Sequence, residues 1–148
     1  MPKINESELK REIKAGNFKN AYLLYGEESY LKEYYANELK NKLVDKTFET
    51  FNFHSFDGKD TELDDILKDA QMLPMMSEYN FVLVKDYPIE KSANDIKLLE
   101  EYLKDAPDTT VLVFWFDAIE PDVKSAKFKK VIKAFEKGAK FDGWSEYF

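Results

Sequence analysis

Apolar residues recur along this chain with two periods that take turns. In Asn5–Gly16, Leu9 and Ile13 stand one turn apart between a capping asparagine and a terminal glycine, which predicts a short helix. Ala21-Tyr22-Leu23-Leu24-Tyr25 is an unbroken apolar run closed by Gly26, the pattern of a buried strand. From Ser29 the period turns helical through Leu31, Tyr34, Tyr35 and Leu39. Thr50–Phe56 alternates aromatic and polar positions and reads as a half-exposed strand ending at Asp57-Gly58. Thr61 and Asp64 have capping-box spacing ahead of a stripe of Leu63, Ile66, Leu67 and Ala70. Phe81–Val84 predicts a second buried strand, and a helix from Asn94 through Ile96, Leu99 and Leu103 stops before Pro107. Val111–Phe116 is the most apolar strand of all. Phe128, Val131, Ile132 and Phe135 mark a last helix ended by Gly138, with Ala139-Lys140-Phe141 as a final short strand. Strands alternate with helices, and some strands are apolar on both faces. That combination predicts an α/β fold, a parallel sheet sandwiched by helices.

Length and composition narrow the function. With 148 residues, the chain has enough for about one domain. Hydrophobic residues make up 44%, with 12 Phe and 9 Tyr to fill a core. There is no cysteine and a single histidine, so disulfides, thiol catalysis and two-histidine zinc sites are excluded. The formal charge of −7 opposes phosphate, so DNA contact is expected to be weak or indirect. No apolar run approaches a membrane span, and the start carries no signal-peptide core, which points to a cytoplasmic location.

A parallel α/β sheet usually binds its ligand beyond the carboxyl ends of the strands, where phosphate cradles need bare backbone. Gly26-Glu27-Glu28-Ser29-Tyr30-Leu31-Lys32-Glu33 occupies the place of a P-loop and keeps its first glycine and its lysine. Leu31 replaces the second glycine, Glu33 replaces the magnesium-binding hydroxyl, and Glu27 and Glu28 would repel phosphate. Gly138–Ser145 has similar spacing but carries Trp144 in place of the lysine. Neither segment is expected to hold ATP, so no cofactor, metal or catalytic residue is assigned. Asp86 and Asp117 follow strands as metal-coordinating acids do, but acids there more often cap turns. His54 falls on the polar phase of its strand and is expected to be exposed. Lysines 124, 127, 129, 130, 133, 137 and 140 make the last helix basic, either as a solvated face or as a phosphate-backbone contact.

Met72-Leu73-Pro74-Met75-Met76-Ser77 is apolar around a proline where a turn would ordinarily be polar. These side chains either fold inward as core or form an adaptable binding surface. Leu23–Leu31, Phe56-Asp57-Gly58, Leu73–Glu78 leading into Phe81–Lys85, and Val111–Phe114 together resemble, in order, the delta subunit of bacterial DNA polymerase III. The resemblance runs over about residues 5–141. It implies an AAA+-like (P-loop-NTPase, RecA-like) domain with a degenerate nucleotide site. It further implies a noncatalytic clamp-loader subunit that binds the sliding clamp (beta subunit) through Leu73, Pro74, Met75 and Met76 and promotes ring opening. The family often carries an aromatic where Met75 or Met76 stands. Residues 1–141 would be the clamp-binding domain and 142–148 the stump of a following helical domain, other loader subunits being met through further C-terminal domains. Two other readings stand beside it: an NTP-binding P-loop-like enzyme, opposed by Leu31 and Glu33, and a receiver-like signalling domain, for which Glu27-Glu28 is only a faint signal.

Overall fold

A computed structural model describes residues 6–137 and, as backbone, 143–147. Helix α1 (Glu6–Ala15) leads into strand β1 (Ala21–Tyr25) and helix α2 (Ser29–Leu43). A short helix α3 (Glu49–Asn52) precedes β2 (Phe53–Asp57), then α4 (Leu63–Ala70) and β3 (Asn80–Lys85). Helix α5 (Ala93–Lys104), β4 (Thr110–Trp115), α6 (Ala126–Lys137) and β5 (Gly143–Tyr147) complete the order.

The strands form one parallel sheet in the order β2-β3-β4-β1-β5. Every residue of β1 and of β4 is buried, because these strands lie inside the sheet with helices over both faces. Leu9, Ile13, Tyr35 and Leu39 of α1 and α2 pack on one face with Tyr22 and Leu24. The stripes of α4, α5 and α6, including Ile66, Leu99 and Phe128, cover the other with Leu23 and Phe114. The alternation along each strand thus feeds two cores. Among the described residues no helix is long and apolar enough to cross a membrane.

Several local expectations are corrected. Thr50–Asn52 is helical, and the strand starts only at Phe53. The reason lies upstream: Asp45 accepts from the Thr47 amide at 2.9 Å and starts a 3₁₀ turn that runs into α3. Thr61 does not cap α4; its hydroxyl donates to the Asp57 carbonyl at 2.9 Å, and Glu62 stands at the cap. Ser92, ahead of Asn94, caps α5 by accepting from the Asp95 amide at 3.2 Å. Gly16 ends α1 at φ 77, the left-handed conformation that suits glycine. The strand expected at 139–141 lies outside the described residues. Gly143–Tyr147, set apart in the sequence reading as the start of a helical unit, runs instead as a strand beside β1, from Ala21 opposite Gly143 to Tyr25 opposite Tyr147.

Candidate functional site

Two places on this fold invite chemistry: the crevice beyond the carboxyl ends of β1 and β4, and the loop between α4 and β3.

The crevice is where an open parallel sheet reverses its strand order and where ligands are usually bound. Here it is closed by its own side chains. Lys32, which has the phase of a P-loop lysine, is buried, and its Nζ donates to the Gly26 carbonyl at 2.7 Å. Burial holds its pKa below the usual lysine value, against the pull of Glu120, Asp117 and Asp86. The space left beside Gly26, Glu27, Glu120, Pro121 and Val123 is about 110 Å³, whereas ligand pockets generally run about 300–1,000 Å³. Asp86 sits at φ 59 with its carboxylate turned to the loop after β4. It accepts the amides of Asp117 at 2.7 Å, Ala118 at 3.1 Å and Ile119 at 3.3 Å. Asp117 pairs at 3.8 Å with Lys85. Asp86 thus organises a turn and Asp117 an ion pair, and among the described residues no group of three or more His, Asp or Glu side chains gathers as a metal set.

The loop after α4 is built differently. Its backbone is pinned and its side chains point outward. The last carbonyls of α4, which a helix leaves without intrahelical partners, are taken up one by one. Thr110 Oγ1 donates to the Ala70 carbonyl at 2.7 Å, and Asn80 Nδ2 donates to the carbonyls of Asp69 at 2.9 Å and Met72 at 3.1 Å. Asn52, itself buried, grips Met75 from the other side. The Met75 amide donates to Oδ1 at 2.6 Å and Nδ2 donates to the Met75 carbonyl at 2.8 Å, so one side-chain amide imitates a neighbouring strand. Met76 follows at φ 56, a left-handed turn uncommon for a residue with a Cβ. Pro74 is half-buried, while Leu73 is 75% exposed, Met75 53% and Met76 80%. Met72 and Phe51 are exposed beside them, so the inward-folding alternative does not describe this loop. Exposed apolar clusters of this kind are more frequent at interaction sites than elsewhere on a protein surface.

His54 departs from expectation. It is half-buried, with Nδ1 3.4 Å from the Asp69 carboxylate at the root of the loop. The lysines of α6 at 127, 129, 130 and 133 are exposed, as the apolar stripe of that helix requires, and so is Lys124 in the turn before it. Lys137 and Lys140 lie outside the residues whose side chains are described.

A family model for the DNA polymerase III delta subunit matches residues 22–141. The chain belongs to the DNA polymerase III delta-subunit family. DNA polymerase III subunit delta of Bacillus subtilis (strain 168) is 30% identical over 136 residues, 87% of this chain and 38% of that protein. This delta-family chain thus spans well under half of the curated relative. Among solved structures, the Bacillus subtilis DNA clamp loader delta protein (YqeN) superposes with a TM-score of 0.76 at 24% identity, over 96% of this chain and 42% of that one. A DNA polymerase III gamma subunit-related protein from Thermotoga maritima gives 0.62 at 15% identity, over 95% of this chain and 45% of that one. The parallel sheet sandwiched by helices that the sequence predicts is the fold this chain shares with these neighbours.

The sequence reading reached Leu73–Met76 of this delta-family chain but missed what holds them. Asn52 stands directly before β2 and Asn80 opens β3, where a polar residue looks like ordinary punctuation. Their one legible sign is that each interrupts or borders an aromatic run, at Phe51-Asn52-Phe53 and Tyr79-Asn80-Phe81.

Proposed function

We propose that this chain is the clamp-engaging part of a noncatalytic clamp-loader subunit, and that it binds the sliding clamp by inserting Leu73, Met75 and Met76, braced by Pro74, into an apolar pocket of the ring. The observation that carries the reading is the pairing of exposed apolar side chains with a backbone pinned by Asn52 and Asn80. Such a loop loses little freedom on binding, so more of the gain from burial survives as affinity. Burying each side chain of this size is worth about 1.5–3 kcal/mol, and a few anchors of that kind dominate most interfaces.

Ring opening follows as a matter of differential affinity. If the loop fits a clamp whose subunit interface is already loosened, binding shifts the ring toward that form with no ATP spent by this chain. The closed crevice supports the noncatalytic part of the proposal: Lys32 is committed to Gly26, and Leu31 and Glu33 stand where a P-loop has glycine and hydroxyl. In the full-length subunit this domain, with β5 in its sheet, would act as the clamp-binding domain, with other loader subunits met through the remainder of the chain, DNA met indirectly, and the whole working in the cytoplasm.

The test is to mix the chain with its cognate clamp and follow association by surface plasmon resonance. Replacing Leu73 and Met75 with alanine is expected to weaken binding by about two to four orders of magnitude, as two such side chains are lost, while the melting temperature stays put. Unchanged clamp affinity would overturn the assignment of the loop. Unfolding of the double variant would show that these side chains belong to the core.

A further inference from the structure

Away from both the loop and the crevice, the outer surface of α1 and α2 carries a concavity of about 370 Å³ whose floor includes Ile13, Tyr34 and Tyr35. Its aromatic surface continues beyond the groove. Tyr34 meets the edge of Tyr35 at 5.0 Å and stacks on Tyr30 at 6.3 Å, and Tyr30 is 74% exposed. Large rings left in water along one helix are costly unless something covers them. The charge at the rim is uneven. Lys10, Lys14 and Lys42 line the groove against Glu38 alone, on a chain whose net charge is −7. Glu6 nearby is already occupied by Lys10 at 3.8 Å and by the Tyr35 hydroxyl. Lys14 and Lys42 are exposed and take no ion pair among the described residues.

We propose that the α1–α2 groove is a docking site for a partner peptide that places an apolar, preferably aromatic, side chain on Tyr34, which the buried Tyr35 backs from the core, and carboxylates on Lys14 and Lys42. Charge complementarity selects the carboxylates, and the aromatic floor selects the ring. The same layout disfavours a nucleic-acid strand, which would also offer stacking and negative charge. Glu33 stands between Tyr30 and Tyr34 and Glu27 and Glu28 lie beyond Tyr30, all exposed, so a polyanion that followed the rings along α2 would run into like charge. A peptide needs its negative charge at one end only. The site does not depend on the loop at Leu73–Met76, so either reading stands if the other fails.

The experiment uses the whole chain and a phage library of random dodecapeptides, followed by fluorescence anisotropy with the enriched sequences. Enriched peptides are expected to join Phe, Trp or Leu to neighbouring Asp or Glu. They should bind Lys14→Glu/Lys42→Glu and Tyr34→Ala each about tenfold more weakly or worse, and lose binding when their acids become lysine. Circular dichroism checks the fold of each variant, and Lys14→Gln/Lys42→Gln, which deletes charge without reversing it, serves if the glutamates perturb α1. No enrichment, enriched peptides without acids, or affinity untouched by these substitutions would overturn the proposal. So would tighter binding of a single-stranded oligothymidine at the same residues. Sedimentation that shows self-association lost in the Lys14→Glu/Lys42→Glu variant would overturn it as well, in favour of a second copy of this chain.

Discussion

At the scale of single residues, two amide and amine groups decide what the exposed and closed parts of the surface can do. Asn52 satisfies both the N–H and the C=O of Met75, and no other residue type of its size offers a donor and an acceptor side by side. Asn52→Ala is therefore expected to cost about 1–3 kcal/mol in urea unfolding, the range for stranded partners of a buried polar group. It should also speed amide exchange at Met75 and weaken the proposed clamp binding, although none of the side chains proposed to meet the clamp is altered. Stability and exchange indistinguishable from the parent would mean that the clamp-like geometry at Met75 holds without this residue. Lys32 poses the opposite case. Its amine is turned back onto the Gly26 carbonyl, and glutamates 27 and 120 border the remaining space. Rewriting the motif with Leu31→Gly and Glu33→Ser is thus expected to leave the chain without calorimetric heat of ATP binding up to millimolar nucleotide with magnesium, as for the parent. A micromolar Kd in the rewritten chain would show that Lys32 is held less firmly than its burial implies.

At the scale of elements, the strand ends and their turns carry most of the constraint. The turn that leaves β2 passes so close to the turn that leaves β3 that a Cβ on Gly58 would stand 2.3 Å from Tyr87 Cα and 2.4 Å from the Asp86 carbonyl oxygen. Those are backbone atoms, fixed in turn by the bonds of Asp86 to the loop after β4. Gly58→Ala should cost about 3 kcal/mol or more, at the upper end of overpacking effects, as read from the urea midpoint; a loss under about 1 kcal/mol would mean that the turns separate easily. How far such elements could be read from the sequence follows from where their determinants lie. The stripe Leu63-Ile66-Leu67-Ala70 and the run Val111–Phe116 are local and periodic, and both emerge as buried faces where expected. The exposed loop was legible because apolar side chains around Pro74 break the usual chemistry of a turn. The start of β2 was not, since the alternation over Thr50–Phe56 signals strand throughout, while the turn that makes Thr50–Asn52 helical is started upstream by Asp45 and Asn52 is held by Met75, 23 residues away. The pairing of His54 with Asp69 and the three amides collected by Asp86 are likewise long-range contacts without a local signature. Sequence periodicity reports which face is buried; it does not report which distant backbone a polar group will meet.

At the scale of the whole molecule, the two cores on either side of the sheet share one vulnerability, because both are packed with tyrosine. Tyr22 and Tyr35 lie in the α1–α2 layer, Tyr87 and Tyr102 in the α4–α5–α6 layer. Burial raises the pKa of each well above the ordinary value of 10.0; the hydrogen bond to Glu6 adds to the effect at Tyr35, and that to Asp95 at Tyr87. Above pH 10 an unfolded chain loses these protons while the folded one keeps them, so the unfolded state binds fewer protons and stability falls as pH rises. Lys32 has the reverse sign: its folded pKa is depressed below 10.5, so it favours the fold as pH rises toward 10.5 and adds nothing further beyond it. One lysine thus offsets the tyrosines only around their threshold. The chain is expected to hold its urea midpoint up to about pH 10 and then lose stability steeply, with each buried tyrosine contributing up to about 1.4 kcal/mol per pH unit. Tyr102→Phe is the most informative variant, since its hydroxyl makes only a long bond of 3.4 Å to the Ala70 carbonyl, which Thr110 also serves. That variant should keep its neutral-pH stability within about 1 kcal/mol and unfold less steeply in alkali. The tyrosinate absorbance that the parent has and Tyr102→Phe lacks should appear together with the loss of helical circular dichroism, since a buried proton leaves only when the layers part. If the absorbance that Tyr102→Phe removes is already present near pH 10 in a parent chain still folded, that buried hydroxyl reaches water without unfolding, and the two-layer account of the alkaline limit would fail.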